Sequence, residues 1–316
     1  MKKDIHNKLI EFGSIHLKDW QVIDIVGDEL KVEEFLQGQV TSDISLLSEN
    51  SAQLSCICDH KGLVLADFII IKKNEKYKFI VSKTESVDEI GYPEPTDPAL
   101  IPVDRKWGVD HILIRELTPF AKFSNVKFKK TDEVVIGSIS PKNNSEEPFL
   151  SNDYCQLSIN INTDLNAFED SISAPQWEAA NKILGNLMLR FPHETQKFRP
   201  LEINYDKLRV SFDKGCYRGQ EIVARMKYLG VDRRKFCTFI TEEHFRRDMC
   251  PEPIVNKDGE YLGDLNEENA KKRSYYKIVG SFVWLDDMNV CIFNAIVKKD
   301  DLPKLIDLLP GVIQIL

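Results

Sequence analysis

Apolar and polar positions alternate from Trp20 to Ile25, which predicts a strand. Asp28 then caps a short helix running through Leu36, with Gly38 as its left-handed stop. Strands are expected at Ala52 to Cys58, Leu63 to Ile71 and Tyr77 to Val81. A turn at Asp59 to Gly62 and a polar turn at Lys72 to Lys76 join them into an antiparallel meander. Pro93, Pro95, Pro98 and Pro102 interrupt the pattern, marking 88–106 as an irregular loop or insertion. Val109 to Phe120 has helical spacing, Val126 to Ile139 reads as strands with a turn, and 141–153 as a polar surface loop. Trp177, Ala180, Ile183, Leu184, Leu187 and Met188 share one face of a helix that has Pro175 in its first turn. A further helix covers 220–229, with Ile222, Val223, Met226 and Leu229 inward. Beyond it come short strands at 236–241, 253–256, 260–262, 276–285 and 289–297, with Asp258–Gly259 as a hairpin signal; they suggest a small antiparallel barrel.

Composition narrows the function classes. A chain of 316 residues fits about two domains. With 42% hydrophobic and 29% charged residues it is globular rather than disordered. A net charge of −8 argues against general nucleic-acid binding, so no direct nucleic-acid partner is expected. The longest apolar stretch, Leu63 to Ile71, contains Asp67 and is too short to span a bilayer; the first twelve residues lack the apolar core of a signal peptide. A cytoplasmic location without a membrane partner is the expectation. Seven scattered cysteines do not suggest a disulfide framework. Cys56-x-Cys58 has no second Cys/His pair at zinc spacing, and His193 and His244 are isolated, so no metal site is expected.

The chemistry concentrates in Lys214-Gly215-Cys216-Tyr217-Arg218-Gly219-Gln220-Glu221, which runs into Ile222-Val223-Ala224-Arg225. Cys216 has Lys214 and Arg218 as near neighbours and precedes a helix, an arrangement that favours a thiolate. The plain alternative is an inert small residue on a tight turn. From Lys207 to Lys235 nine basic residues face three acidic ones, leaving the remainder of the chain at −14. Such a segment is either a solvated face or a site for an anionic ligand.

The octet resembles the signature KGCYxGQE of the YgfZ folate-binding family, relatives of the glycine cleavage T-protein. Three further segments carry the resemblance in the same order. Phe35 to Asp43 is similar to FxQGQVTxD, and Cys58 to Gly62 to the CDxKG turn. Phe198 to Asn204 resembles FxPQxxN with Leu201 in place of Gln. The resemblance implies an α+β fold, an aminomethyltransferase (T-protein)-like ring of two α+β parts, 1–120 and 121–235, closed by a C-terminal antiparallel β-barrel over 236–316. It implies binding of tetrahydrofolate or a one-carbon derivative, with iron–sulfur proteins or their assembly factors as partners, and a monomer supporting radical tRNA-modifying enzymes. Cys216 and Lys214 take the active positions in this resemblance. Trp20, Trp177, Tyr217, Arg218, Gln220, Glu221 and Arg225 take the ligand-facing ones. By spacing alone, Trp20 and Trp177 read equally as core residues. The T-protein's Asn-Ala-x-Asn stretch is replaced here by Val81 to Asp88, and its Gly-x-Pro by Arg190-Phe191-Pro192. Folate-dependent aminomethyl transfer or demethylation, and a non-catalytic scaffold, stand as alternatives.

Overall fold

The computed structural model describes residues 8–83, 108–142, 147–163, 168–190, 194–230, 233–242, 254–255, 261–263, 276–304 and 313–314. The Pro-rich segment, the Asp258–Gly259 turn, Phe191, Pro192, His193 and His244 lie outside them. The chain divides into two compact units. The larger comprises Glu11–Trp177 and Met188–Gly230, the smaller Met1–Ile10, Glu178–Leu187 and Val231–Leu316.

The larger unit opens with β1 (Gly13–His16) and β2 (Trp20–Val26), followed by helix α1 (Glu29–Gln39). The meander is β3 (Ala52–Cys58), β4 (Val64–Lys73) and β5 (Lys76–Ser82). Helix α2 (Val109–Ala121) leads to β6 (Lys127–Lys130), β7 (Val134–Pro141), β8 (Leu150–Ser151) and β9 (Cys155–Asn162). Helix α3 (Ala174–Ile183) begins in this unit; the short α4 (Tyr205–Leu208) and α5 (Gln220–Leu229) complete it. Two sheets result, one in the order β3-β4-β5-β2-β6 and one in the order β1-β7-β9-β8, all with antiparallel pairings.

Asp28 caps α1 as expected, its carboxylate accepting from the Lys31 N–H. Gly38 does not stop it. The helix runs on to Gln39, and the Val40 N–H bonds the Leu36 carbonyl. The reason is tertiary, because Val40 is fully buried and its own carbonyl is needed elsewhere. In α5, Val223 is buried and Ile222 and Met226 half-buried, but Leu229 is 79% exposed. It stands at the helix's last residue, outside the inward strip expected to hold it.

β4 is buried along Val64–Ile71, the continuous apolar run typical of a strand covered on both faces. Asp67 lies in the middle of that run. Its carboxylate accepts from the Tyr205 hydroxyl at 3.0 Å and the Leu189 N–H at 3.1 Å, and pairs with Arg209 at 3.2 Å. Burial still pushes Asp67 up to about 6, against the pull of Arg209. The Arg209 guanidinium also donates to the carbonyls of Ser55 on β3 and Phe68 on β4, and lies 4.5 Å from the Tyr205 ring centre. A buried charge survives only when paired and hydrogen-bonded, and here both charges are. The network therefore locks Leu189, Tyr205 and Arg209 onto the β3–β4 hairpin.

The start of α5 is seated against the turn between β3 and β4. In that turn Asp59 Oδ1 accepts from the N–H groups of Lys61 and Leu63. Gly62, at φ +70°, lies under Ile222, and Gly219, at φ +86°, lies on the Asp59 carbonyl. A Cβ on Gly219 would meet that oxygen and the Cys58 Cβ, whereas one on Gly215 would meet open space.

The smaller unit holds an antiparallel sheet. Its strands are β10 (Arg234–Glu242), β13 (Tyr276–Leu285), β14 (Val290–Lys298) and β15 (Ile313–Gln314), in the order β13-β14-β10-β15. β11 (Ile254–Val255) and β12 (Tyr261–Gly263) pair only with each other among the described residues. The described strands thus form an open sheet and a separate ribbon, without the closure of the expected barrel. Phe239 and Phe293 stack at 5.3 Å in its core, next to Cys237, Ala295 and Val297.

Two outcomes follow. Arg209→Met leaves the buried Asp67 carboxyl without its cation and the Ser55 and Phe68 carbonyls without their donor, so denaturant unfolding should show a loss of about 3–5 kcal/mol; a loss below about 1 kcal/mol contradicts the network's role. Gly219→Ala should cost about 2 kcal/mol or more through its positive φ and blocked Cβ. Gly215→Ala should stay within about 0.5 kcal/mol, both read from thermal melts.

Candidate functional site

The segment 209–221 crosses the larger unit between anchors. Val40-Thr41-Ser42, just past α1, lies between β3 and this segment. The Thr41 N–H bonds the Cys56 carbonyl, the Thr41 hydroxyl donates to the Arg209 carbonyl at 2.7 Å, and the Thr41 carbonyl accepts from the Ser211 N–H. The flanking carbonyls of Val40 and Ser42 each accept from Lys214 Nζ at 2.8 Å. Gln37 and Asp43 brace the strip: the Gln37 amide donates to Asp43, and its oxygen accepts from the Ile44 N–H. Hydrogen bonds from Ser45 and Gln37 hold the Asp43 carboxyl below its usual range.

Lys214 is 8% exposed, and burial pulls its ammonium down to about 8, with Asp43 opposing. Its Nζ lies 5.6 Å from the Tyr217 ring centre. Two carbonyls use two of the three ammonium protons. Tyr217 is buried, and its hydroxyl reaches no hydrogen-bond partner among the described residues. Burial, with Cys58 and Cys56 nearby, pushes its phenol upward. Cys58 itself is pushed well up by its hydrogen bond with Cys56 and by burial. Cys56 and Cys58 are therefore core thiols under this turn, as strand-end residues should be.

Between the buried anchors Lys214 and Tyr217, Gly215 and Cys216 are exposed. Cys216 is the exposed one among the described cysteines. The cations that sequence places beside it have partners of their own: Lys214 holds the two carbonyls, and Arg218 pairs with Glu116 of α2 at 3.0 Å. Arg218 also lies 5.5 Å from the Phe120 ring centre. Gln220 closes the turn, its side-chain oxygen accepting from the Tyr217 N–H and its own N–H bonding the Tyr217 carbonyl. Glu221 and Arg225 are exposed on α5. The basic excess over 207–235 is thus not one open patch. Arg209 and Lys214 are buried, Lys227 pairs with Asp206, and Arg218 with Glu116.

All four motif segments meet at the end of the β3–β4 hairpin. The Phe35–Asp43 segment supplies the carbonyls that hold Lys214. The Cys58–Gly62 turn seats Gly219. In the fourth segment, the Phe198 carbonyl accepts from the Val64 N–H at the head of β4. The two tryptophans are set apart, Trp20 on a strand of one sheet and Trp177 on α3, packed against the other sheet. Trp20 opens β2 opposite Ser82 and is 8% exposed. Trp177 is 2% exposed, with its ring over Gly137 of β7 and 6.3 Å from Phe149. Asp67, Arg209, Tyr205 and Glu116 escape sequence reasoning. The carboxylate inside an apolar strand is the one signal that points to the first three.

No family model matches the chain. Among curated proteins it is similar to the tRNA-modifying protein YgfZ of Vibrio atlanticus (strain LGP32), 27% identical over 73% of this chain and 70% of that one. The protein of the same name from Colwellia psychrerythraea (strain 34H / ATCC BAA-681) is 26% identical over 94% and 89%. An uncharacterized protein of Haemophilus influenzae (strain ATCC 51907 / DSM 11121 / KW20 / Rd) is 29% identical over 71% and 72%. Among solved structures, the glycine cleavage system aminomethyltransferase T from Bartonella henselae superimposes with a TM-score of 0.52 at 11% identity, over 94% of this chain and 81% of that one. The similarity carried by four short motifs extends over most of the chain, which is a homologue of the YgfZ proteins on a T-protein-like fold.

Proposed function

We propose that the protein is a folate-binding accessory factor for the assembly or repair of iron–sulfur proteins, acting through Cys216 and supporting tRNA-modifying enzymes in the cytoplasm. The observation that carries this reading is the exposed Cys216 thiol on a short bridge between two buried anchors, at the point where all four motif segments meet. The relatives named as tRNA-modifying proteins and the T-protein-like fold support it. The three-part division at 120 and 235, with a closed C-terminal barrel, belongs to the same reading.

The residues present fit a flat anionic ligand rich in carbonyl oxygens. Lys214 keeps one ammonium proton beyond its two backbone partners, and the buried Tyr217 hydroxyl has no partner among the described residues. Both are donors that such a ligand would satisfy. In this reading Lys214 binds and orients tetrahydrofolate, with Tyr217 and Gln220 shaping the turn behind it and Trp20 offering an aromatic surface. Trp177 contributes from the core by packing on β7. Arg218, Glu221 and Arg225 stand at the exposed end, where the two arginines meet the ligand's glutamate tail. Tetrahydrofolate, when bound, supplies a carrier for one-carbon units. Cys216, exposed on its bridge, is the nucleophile that meets an iron–sulfur client or assembly factor.

Calorimetry with tetrahydrofolate and its polyglutamates should show binding; no heat at millimolar ligand contradicts the reading. Because Lys214 titrates at about 8, affinity should fall as pH rises from 7 to 9. Lys214→Met should bind weakly and without that pH dependence. In cells lacking the protein, Cys216→Ala should fail to restore the activity of a radical iron–sulfur enzyme. Full rescue by that variant would remove Cys216 from the mechanism.

A further inference from the structure

The buried network around Asp67 contains a thioether. Arg209 Nη2 donates to the Met188 sulfur at 2.7 Å and faces Asp67 Oδ2 at 3.2 Å, so one terminal nitrogen serves both a thioether and a carboxylate. Nη1 is committed to the carbonyls of Ser55 and Phe68. Sulfur is the weak acceptor of this set. Met188 also stands directly before Leu189, whose N–H bonds the same Asp67 carboxylate. Asp67, Tyr205, Arg209 and Leu189 are closed off from water, whereas Met188 is half-buried. Of these residues, Met188 is the one that a reagent in solution meets first.

We propose that Met188 is an oxidation site through which hydroperoxides loosen the Asp67–Arg209 lock. In the step, a sulfur lone pair attacks one oxygen of hydrogen peroxide. The S–O bond forms as the O–O bond breaks, and the departing hydroxide takes the proton left on the transferred oxygen and leaves as water. The sulfur is oxidised to the sulfoxide and the peroxide is reduced. The product is larger by one atom and carries a polar oxygen, a far better acceptor for a guanidinium than the thioether. That oxygen competes with Asp67 for Arg209 Nη2. As the arginine turns toward it, the buried carboxylate loses part of its pairing, a costly state. Leu189 is released with it, and the change reaches the Arg209 carbonyl, which accepts from the Thr41 hydroxyl in the strip that holds Lys214. Reduction of the sulfoxide returns the thioether, so the change is reversible.

The test needs neither folate nor client. Full-length protein, with Cys216 first capped by iodoacetamide, is treated with hydrogen peroxide under folding conditions. Peptide mass spectrometry follows each methionine, and native-state hydrogen exchange is read on the same samples. Met188 should become the sulfoxide in the folded protein. The Leu189 amide should then exchange faster by about tenfold or more, with a smaller change at the central β4 amides. Methionine sulfoxide reductase should return the exchange to its starting rate. Met226 on α5 and Met288, both half-buried, serve as internal controls. In Met188→Leu, peroxide should oxidise these two and leave Leu189 exchange unchanged. Met188→Gln, which sets a neutral oxygen acceptor beside Arg209 without any oxidant, should exchange faster at Leu189 than Met188→Leu. Three results overturn the proposal: Met188 staying reduced at a peroxide exposure that oxidises Met226, its oxidation leaving Leu189 exchange unchanged or slower, or an equal acceleration in oxidised Met188→Leu. If Met188→Leu does not fold, reversal by the reductase on the wild type makes the comparison, and failure to reverse once Met188 is reduced again overturns the proposal.

Discussion

The buried pairing of Asp67 with Arg209 is the constraint on which the rest of the larger unit depends. A carboxylate in the middle of a fully buried strand is costly unless its charge is met, and here an arginine, a tyrosine hydroxyl and a backbone N–H meet it. The arginine in turn closes onto carbonyls of β3 and β4. Because its partners come from residues far apart in sequence, the network fixes the path of the chain on either side of α4. The bond from the Thr41 hydroxyl to the Arg209 carbonyl carries that order to the strip that holds Lys214.

The site follows from this arrangement. Two buried cations, Arg209 and Lys214, each end on backbone carbonyl oxygens of other elements, so the segment between and beyond them has little freedom. Gly219 then brings the start of α5 into direct contact with the Asp59 carbonyl. What remains outside is the short Gly215–Cys216 bridge. A thiol presented this way needs no rearrangement to be reached, and its surroundings are set by residues that are themselves locked.

Much of the fold was legible because it is written locally. The meander from Ala52 to Ser82 shows its strand period and turns, and Asp28 marks the start of α1. Gly38 misled because a glycine is tolerated inside a helix when a following residue must be buried. Gly13–His16 is too short to show a period, while Cys155–Asn162 alternates clearly and was there to be read. The basic segment looked like surface charge, since nothing local reveals that Arg209 and Lys214 find partners some 150 residues or more away. The four motifs were legible one by one. Their meeting at one hairpin end is a tertiary fact, and so is the pairing of Arg218 with Glu116, from a helix with no motif of its own.

Native-state hydrogen exchange tests the central claim most directly, that the buried Asp67–Arg209 pair and the carbonyls around Lys214 hold the cysteine segment rigidly on the β3–β4 hairpin. The amides of Leu189, bonded to Asp67, and Ser211, bonded to Thr41, should exchange only through global unfolding, with protection equal to that of the central β4 amides. Exchange of these two amides at free energies several kcal/mol below that of β4 would show a loosely tethered segment and contradict the account.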